Sequence, residues 1–267
     1  MTRTVRTRPC EDRVRPGEVV GISVAAVTVL VMSGTGTGVG KTVVTAAVAA
    51  LAMNDGQRVA VLKPAQTGVA PGEPGDLADV RRLAGHVTTC ELRRYPDPLS
   101  PEAAARRSGL PEVTPADVAA AATRLHEDHD LVLVEGAGGL LVRFDSMGGT
   151  LADVAWALAA PVVVVAEAGL GTLNATALTA EVATRRGLDV LGVVIGAWPS
   201  NPDLAARCNA ADLPVAAAAP LLGALPAGLA AVNGQEFLDE ARKGLAPWLG
   251  GSFDPDLFAR AAAATGT

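Results

Sequence analysis

A chain of 267 residues with 49% hydrophobic content can bury one large core, and nothing in its composition forces a second domain. A formal net charge of −6 argues against a dedicated nucleic-acid surface and suits a protein that handles small molecules. The three cysteines, Cys10, Cys90 and Cys208, are scattered and lack the C-x-x-C spacing of metal or redox work, which fits a reducing cytoplasm.

Residues 1–18 carry five arginines against three acids and form a short basic tail. Followed by the apolar residues 19–32, this tail has the outline of a secretory signal. The apolar run, however, feeds directly into a glycine loop without a small-residue cleavage site, and cutting there would remove the first strand. Residues 1–24 are expected to be a disordered extension or the product of a misplaced start codon, 25–249 a single domain and 250–267 a frayed tail.

Residues 27–33 are apolar and β-branched, break into Gly34-Thr-Gly-Thr-Gly-Val-Gly-Lys-Thr42, and reopen as an alanine-rich helical segment over 43–52. Strand, glycine loop and helix in that order predict a P-loop nucleotide site. Its glycines let successive backbone N–H groups turn onto anionic oxygens, and the helix adds its unpaired N-terminal donors. Gly38, Val39, Gly40, Lys41, Thr42 and Val43 are the candidate nucleotide contacts. Lys41 would neutralise the β- and γ-phosphates, and the Thr42 hydroxyl is placed to ligate Mg²⁺. The spacing is irregular: five residues separate Gly34 from Gly40, whereas the usual four would need a glycine at Thr35.

Residues 58–63 read as a short buried strand with Lys63 at its carboxyl end, the end at which open parallel sheets bind ligands. The chain has nineteen arginines but only three lysines, Lys41, Lys63 and Lys243. Two of the three fall at strand ends, which suggests a need there for a compact ammonium that a guanidinium fork would not meet. Residues 69–75 form a Pro/Gly loop, and Asp76 opens a helix over 77–84, either as its N-cap or as a carboxylate of the phosphate region. The pairs Arg81-Arg82 and Arg93-Arg94 read as solvated faces without a role.

A short helix is expected over 101–108, and Thr114 and Pro115 cap and open another that runs toward His126. His126 and His129 read as a solvated helix end, and no zinc is expected. The apolar strand 131–134 ends in Glu135 and then Gly136-Ala137-Gly138-Gly139, the pattern of a Walker-B-like carboxylate reaching Mg²⁺ beside a phosphate loop. Beyond it come a helix over 150–160, a strand over 162–166, a glycine turn from Gly169 through Asn174 leading into a helix that ends near Gly187, and a strand over 190–195.

Residues 213–232 are uncharged and as long as a bilayer span, but Pro214, Pro220, Pro226, Gly223 and Gly228 break them, so a buried strand with flanking loops is expected. A last amphipathic helix over 234–248 offers only Arg242 and Lys243 as basic groups, weak for membrane or nucleic acid. The repeated alternation of apolar strands with helices predicts an α/β single-domain P-loop fold, mainly parallel, with helices on both faces.

Taken together, these motifs resemble the dethiobiotin synthetases of biotin biosynthesis over about residues 27–249. The resemblance is carried by the glycine loop with its five-residue spacing, by Lys63-Pro-x-x-Thr-Gly68, by Glu135-Gly-Ala-Gly-Gly139 and by Leu170-Gly-Thr-Leu-Asn174. It implies that diaminopelargonic acid, CO₂ and MgATP yield dethiobiotin, ADP and phosphate through a carbamate and a carbamic-phosphoric mixed anhydride. By the same resemblance Lys63 is the catalytic lysine at the carbamate, Lys41 follows the transferred phosphate, and Thr37 lies beside the reacting groups. Thr67 and Gly138 bind the substrate, Gly136 and Ala137 run along the nucleotide, and Thr42, Asp76 and Glu135 hold Mg²⁺.

The resemblance also implies a homodimer in which Leu170, Gly171, Thr172, Leu173 and Asn174 of one subunit meet the substrate's carboxylate tail in the other's site. Many members carry an Asn followed by an acid to read adenine, where this chain has Gly196-Ala197-Trp198. Gly196 has no side-chain amide to pair with a base edge, so other nucleoside triphosphates are expected to substitute for ATP better than in Asn-bearing relatives. Pro226, Ala227 and Gly228 are expected to line the base pocket through their backbone.

Overall fold

In the computed structural model, which describes residues 28–264, seven strands form one sheet in the order β3-β2-β4-β1-β5-β6-β7. The chain runs β1 (Val29–Gly34), α1 (Lys41–Asn54), β2 (Val59–Thr67), α2 (Asp76–Ala84), β3 (Thr88–Tyr95), α3 (Pro101–Ser108), α4 (Pro115–Asp128) and β4 (Leu131–Glu135). It continues through α5 (Leu151–Ala157), β5 (Val162–Ala166), α6 (Thr172–Arg185), β6 (Val190–Trp198), α7 (Leu204–Ala217), β7 (Leu221–Pro226), α8 (Gly234–Gly244) and α9 (Pro255–Ala264). All the strand pairings are parallel. The extension expected over 1–24 lies outside the described residues.

The strands are apolar throughout because both faces of the sheet are covered. Leu30 and Met32 of β1 pack with α1, α2 and α8 on one side, while Val31 packs with α4 and α5 on the other. Helix α1 is alanine-rich and buried along most of its length, since it lies between the sheet and the α2 and α8 helices. The entry to α4 is fixed reciprocally: the Thr114 hydroxyl accepts from the Asp117 N–H at 3.1 Å and the Asp117 carboxylate from the Thr114 N–H at 3.0 Å. Loss of such a cap costs about 1 kcal/mol. Strand β1 lies between β4 and β5, so the crevice beyond its carboxyl end is where the connections diverge to the two halves of the sheet.

Several elements depart from the sequence reading. Strand β2 continues past Pro64 to Thr67, because its pairing with β4 stops at Leu62 and the missing proline donor is not needed on that side. Strand β3 has no counterpart in the sequence reading; it is an edge strand, and its charged, half-exposed side chains pattern like a loop. Residues 213–217, expected to flank a strand, form the last turn of α7 with Pro214 inside the helix, and the strand itself begins at Leu221.

Helix α8 ends at Gly244, where Leu245 and Ala246 drop onto β7 and the Ala246 N–H donates to Leu222 O at 2.8 Å. The expected fraying from 250 is corrected over 250–264: Phe253 is buried and α9 packs on α7, with Phe258 edge-on to Trp198 at 4.7 Å. The edge-on and tilted ring contacts of Trp198, Phe258 and Phe253 supply the apolar burial that holds the helix down.

Candidate active site

The glycine loop between β1 and α1 is shaped by where side chains cannot go. Gly38 and Gly40 sit at φ 78° and 94°, a left-handed backbone that glycine adopts without strain, and Gly40 is the N-cap of α1. The first-turn N–H groups of α1 therefore face the crevice without intrahelical acceptors. A Cβ on Gly34 would lie 2.8 Å from Val39 Cγ2 and 3.1 Å from Lys41 Nζ, so the glycine at 34 makes room for the lysine stem. This contact gives the five-residue spacing its physical sense.

Lys41 Nζ donates to the Gly36 carbonyl at 2.7 Å, back across the loop. Burial first, then the positive charge of Lys63, hold the Lys41 pKa down at about 8, against the opposing pull of Glu135 and Asp76.

The second lysine is held differently. Lys63 Nζ lies 2.8 Å from Glu135 Oε1, 2.5 Å from Asp76 Oδ2 and 3.2 Å from the Gly136 carbonyl. Burial works to lower its pKa, but the charges of Glu135 and then Asp76 outweigh that and raise it, so Lys63 stays an ammonium at neutral pH. The Thr42 hydroxyl donates to the same Glu135 Oε1 at 2.9 Å. Asp76 is not a cap. Gly75 takes that position, and Asp76 is the first helical residue of α2, free to turn its carboxylate to Lys63.

The Thr42 hydroxyl and the Glu135 and Asp76 carboxylates thus gather on one wall of the crevice, linked through Glu135 and the Lys63 ammonium. Glu135 is fully buried, and its Oε2 has no hydrogen-bond partner, an orphan that a cation would satisfy. Hard oxygen donors in this small number suit Mg²⁺, which keeps several waters of its own. The residues present therefore fit the ion. Among the described residues no group of three or more His, Cys, Asp and Glu stands ready for a metal. His129 is engaged with the Leu125 carbonyl at 2.7 Å and the Thr88 hydroxyl at 2.8 Å.

A cleft of about 610 Å³ is lined by Thr37, Gly38, Gly40, Lys41, Thr42, Val43, Lys63, Thr67, Asp76, Glu135, Gly136, Ala137 and Gly138. The two lysines therefore share one cavity. Val39 lies beneath the loop, buried in the core. The glycines after β4 are fitted to tight surroundings: a Cβ on Gly136 would lie 2.5 Å from Leu151 Cδ2, and Gly138, at φ 76°, would put one 2.9 Å from Val142 Cγ2.

Gln66, Pro98, Leu99 and Val142 also line the cleft and were not singled out in the sequence. Gln66 sits inside a stretch the sequence did flag. The other three come from loops with no local pattern to mark them.

Gly196, Ala197, Pro226, Ala227 and Gly228 do not line this cleft. They lie together at the adjoining ends of β6 and β7, where the Ala227 N–H donates to the Trp198 carbonyl at 2.7 Å. Gly196 abuts the glycine loop so closely that a Cβ there would lie 2.0 Å from the Val39 carbonyl oxygen. Leu170, Gly171, Thr172, Leu173 and Asn174 are likewise absent from the cleft wall; they form the turn and first helical residues of α6, with Leu170 90% exposed.

A parallel sheet with a glycine loop after its central strand, and a lysine and acid cluster beside that loop, defines an α/β P-loop nucleotide-binding protein. A family model described as an AAA domain matches residues 28–233. The ATP-dependent dethiobiotin synthetase BioD of Streptomyces avermitilis is 63% identical over 221 residues, covering 83% of this chain and 93% of that protein. The one from Saccharopolyspora erythraea is 67% identical over 211 residues, 79% of this chain and 92% of that protein. The chain belongs to the dethiobiotin synthetase family. Among solved structures, the cell division protein FtsY of Thermotoga maritima resembles it at 20% identity and a TM-score of 0.50, over 88% of this chain and 68% of that one, a likeness of fold alone.

Proposed function

We propose that this chain is an ATP-dependent cyclo-ligase that carboxylates diaminopelargonic acid with CO₂ and closes the ring to dethiobiotin, releasing ADP and phosphate. The observation that carries the reading is the placement of Lys41 and Lys63 on one cleft wall beside an acid cluster. One amine of the substrate adds to CO₂ and loses a proton, leaving a carbamate. A carbamate oxygen then attacks the γ-phosphorus with departure of ADP, and the neighbouring amine attacks the carbonyl carbon of the mixed anhydride and expels phosphate.

A carbamate approaching a triphosphate brings two anions together, so the site must supply cations and positioning in a dry setting rather than a strong base. Lys63, kept protonated by Glu135 and Asp76, is the group for the carbamate. Lys41, at the mouth of the glycine loop, accompanies the phosphoryl group, with Thr37 beside it. Thr67 and Gly138 contact the substrate, and Gly38 to Val43, Gly136 and Ala137 contact the nucleotide. Mg²⁺ held by Thr42, Asp76 and Glu135 would neutralise phosphate oxygens as charge moves onto the leaving group.

The test is product chemistry: with diaminopelargonate, bicarbonate and MgATP, dethiobiotin should accumulate in step with ADP. Lys63→Ala should abolish it while nucleotide still binds. Undiminished turnover in that variant would overturn the assignment of roles.

The working form we infer is a homodimer, with Leu170 to Asn174 of one subunit against the substrate tail in the other's cleft. Support comes from the exposure of Leu170 and from the absence of this segment among the residues that line its own chain's cleft. Mixing an inactive Lys63→Ala chain with an inactive Asn174→Ala chain should restore activity in hybrid dimers, and no recovery would count against the arrangement. Cys90 and Cys208 are free thiols, in keeping with a cytoplasmic site of action.

A further inference from the structure

Asp76 sits at the end of a largely exposed Pro- and Gly-rich loop, yet its carboxylate is turned into the cleft beside Lys63. Gly75 has no side chain to cap α2, and Gln66 of β2 serves instead from a distance. The buried Gln66 accepts from the Asp76 N–H through Oε1 at 2.8 Å and donates through Nε2 to the Thr67 carbonyl at 3.3 Å. Gly75 admits this approach, since a Cβ there would lie 2.7 Å from Gln66 Oε1.

Directly across the β2–β3 ladder, Arg94 is the register partner of Gln66. Its guanidinium is gripped two-fold by Glu91, at 2.7 and 2.8 Å, and its Nη1 donates to the Glu73 carbonyl at 2.6 Å and the Ala70 carbonyl at 3.3 Å. The Glu73 carboxylate closes the loop by accepting from the Ala70 N–H at 3.1 Å.

We propose that Gln66 and Arg94, the latter set by Glu91, are positioning residues that lock the 70–76 loop so that the Asp76 carboxylate is aimed into the cleft. Neither needs to touch the substrate; both act through Asp76. A guanidinium fork can hold a carboxylate and two backbone carbonyls at once, which a lysine ammonium could not do with the same geometry. The edge strand β3 therefore serves as the outer support of the site.

The experiment uses the full chain with Arg94→Ala, Gln66→Ala and Glu91→Gln, each alone and combined with Asp76→Asn. In Mg²⁺-free protein, backbone amide exchange over residues 69–77 should quicken about tenfold in each variant while peptides from β1 and β4 keep their protection. That arm, like binding of the loop to its supports, is independent of the substrate; the turnover arm rests on the synthetase reading. In turnover, Arg94→Ala should lower kcat about tenfold with little change in the KM for nucleotide, yet change kcat less than about twofold in the Asp76→Asn background.

Equal losses in both backgrounds, or unchanged exchange over 69–77, would overturn the proposal. Should Arg94→Ala loosen the whole protein, Glu91→Gln must still give the local exchange signature, and its absence would be equally fatal. Local loosening without dethiobiotin formation by the parent would instead fail the synthetase reading and leave the support intact.

Discussion

Replacing Lys63 by Met tests the electrostatics of the site independently of its chemistry. Lys63 is 3% exposed and Glu135 fully buried, and the ammonium is the cation paired with that carboxylate at 2.8 Å. Methionine keeps the stem's bulk but takes the cation from the buried Glu135 carboxylate, leaving it the Thr42 hydroxyl alone, with Oε2 already lacking a partner. Removing one member of such a pair costs about 3–5 kcal/mol. The Asp76 side chain is 36% exposed, so water compensates much of its loss and it adds little to that figure. For a domain of this size the cost corresponds to a fall in Tm of about 6–20 °C.

Calorimetry without divalent ions should record that fall, and added Mg²⁺ should restore part of it, because a cation can take over the charge of Glu135. The double variant Lys63→Met with Glu135→Gln should recover much of the stability and none of the turnover. A single Lys63→Met variant as stable as the parent in EDTA would refute the reasoning.

Four further outcomes can be measured. We propose that the base lies at the β6 end, where Gly196 has no side-chain amide to offer it, so other nucleoside triphosphates should substitute for ATP better than in Asn-bearing relatives; a strong ATP preference in competition assays would count against this. Reinstalling the amide should not help, since a Cβ at 196 meets Val39 O at 2.0 Å and Val165 Cγ1 at 2.8 Å; Gly196→Asn should weaken binding of every nucleoside triphosphate in equilibrium titrations.

Lys41 titrates near 8 in the free protein, below its ordinary 10.5, so it is charged below that pH and neutral above it. A bound triphosphate favours the charged form, so binding should take up a proton above pH 8, weaken as pH rises further, and take up none at pH 6.5; calorimetry in buffers of different ionisation heat measures the uptake. Finally, Phe253→Ala should cost about 3 kcal/mol in denaturant unfolding, as expected for a buried ring, whereas a frayed tail would tolerate it.

The parts of the site carried by contiguous residues were legible before folding. Gly34 to Thr42 and Glu135 to Gly139 each pair an apolar strand with glycines, and that pattern reports local backbone needs. Asp76 shows the limit of such reading. Sequence position left cap and ligand both open, and the choice falls to Gln66, ten residues away, which takes the capping duty and frees the carboxylate. Arg94 shows it again: beside Arg93 it reads as a solvated charge, and only the pairing of β3 with β2 puts its fork under the loop. Strand β3 carries no apolar stripe because one of its hydrogen-bonding edges is unpaired and only partly covered, and charged side chains there guard that edge, so its sequence patterns like a loop.

The amino-acid sequence by itself determined the fold class, the glycine loop, the two lysines and the family, because backbone conformation and burial of whole strands are written in neighbouring residues. The tertiary structure alone decided that Lys63, Glu135, Asp76 and Thr42 converge, that Gly196 presses on Val39, and that α9 is folded onto α7. Those contacts join residues far apart in the chain, and their energies depend on distances and burial that exist only after the sheet has assembled.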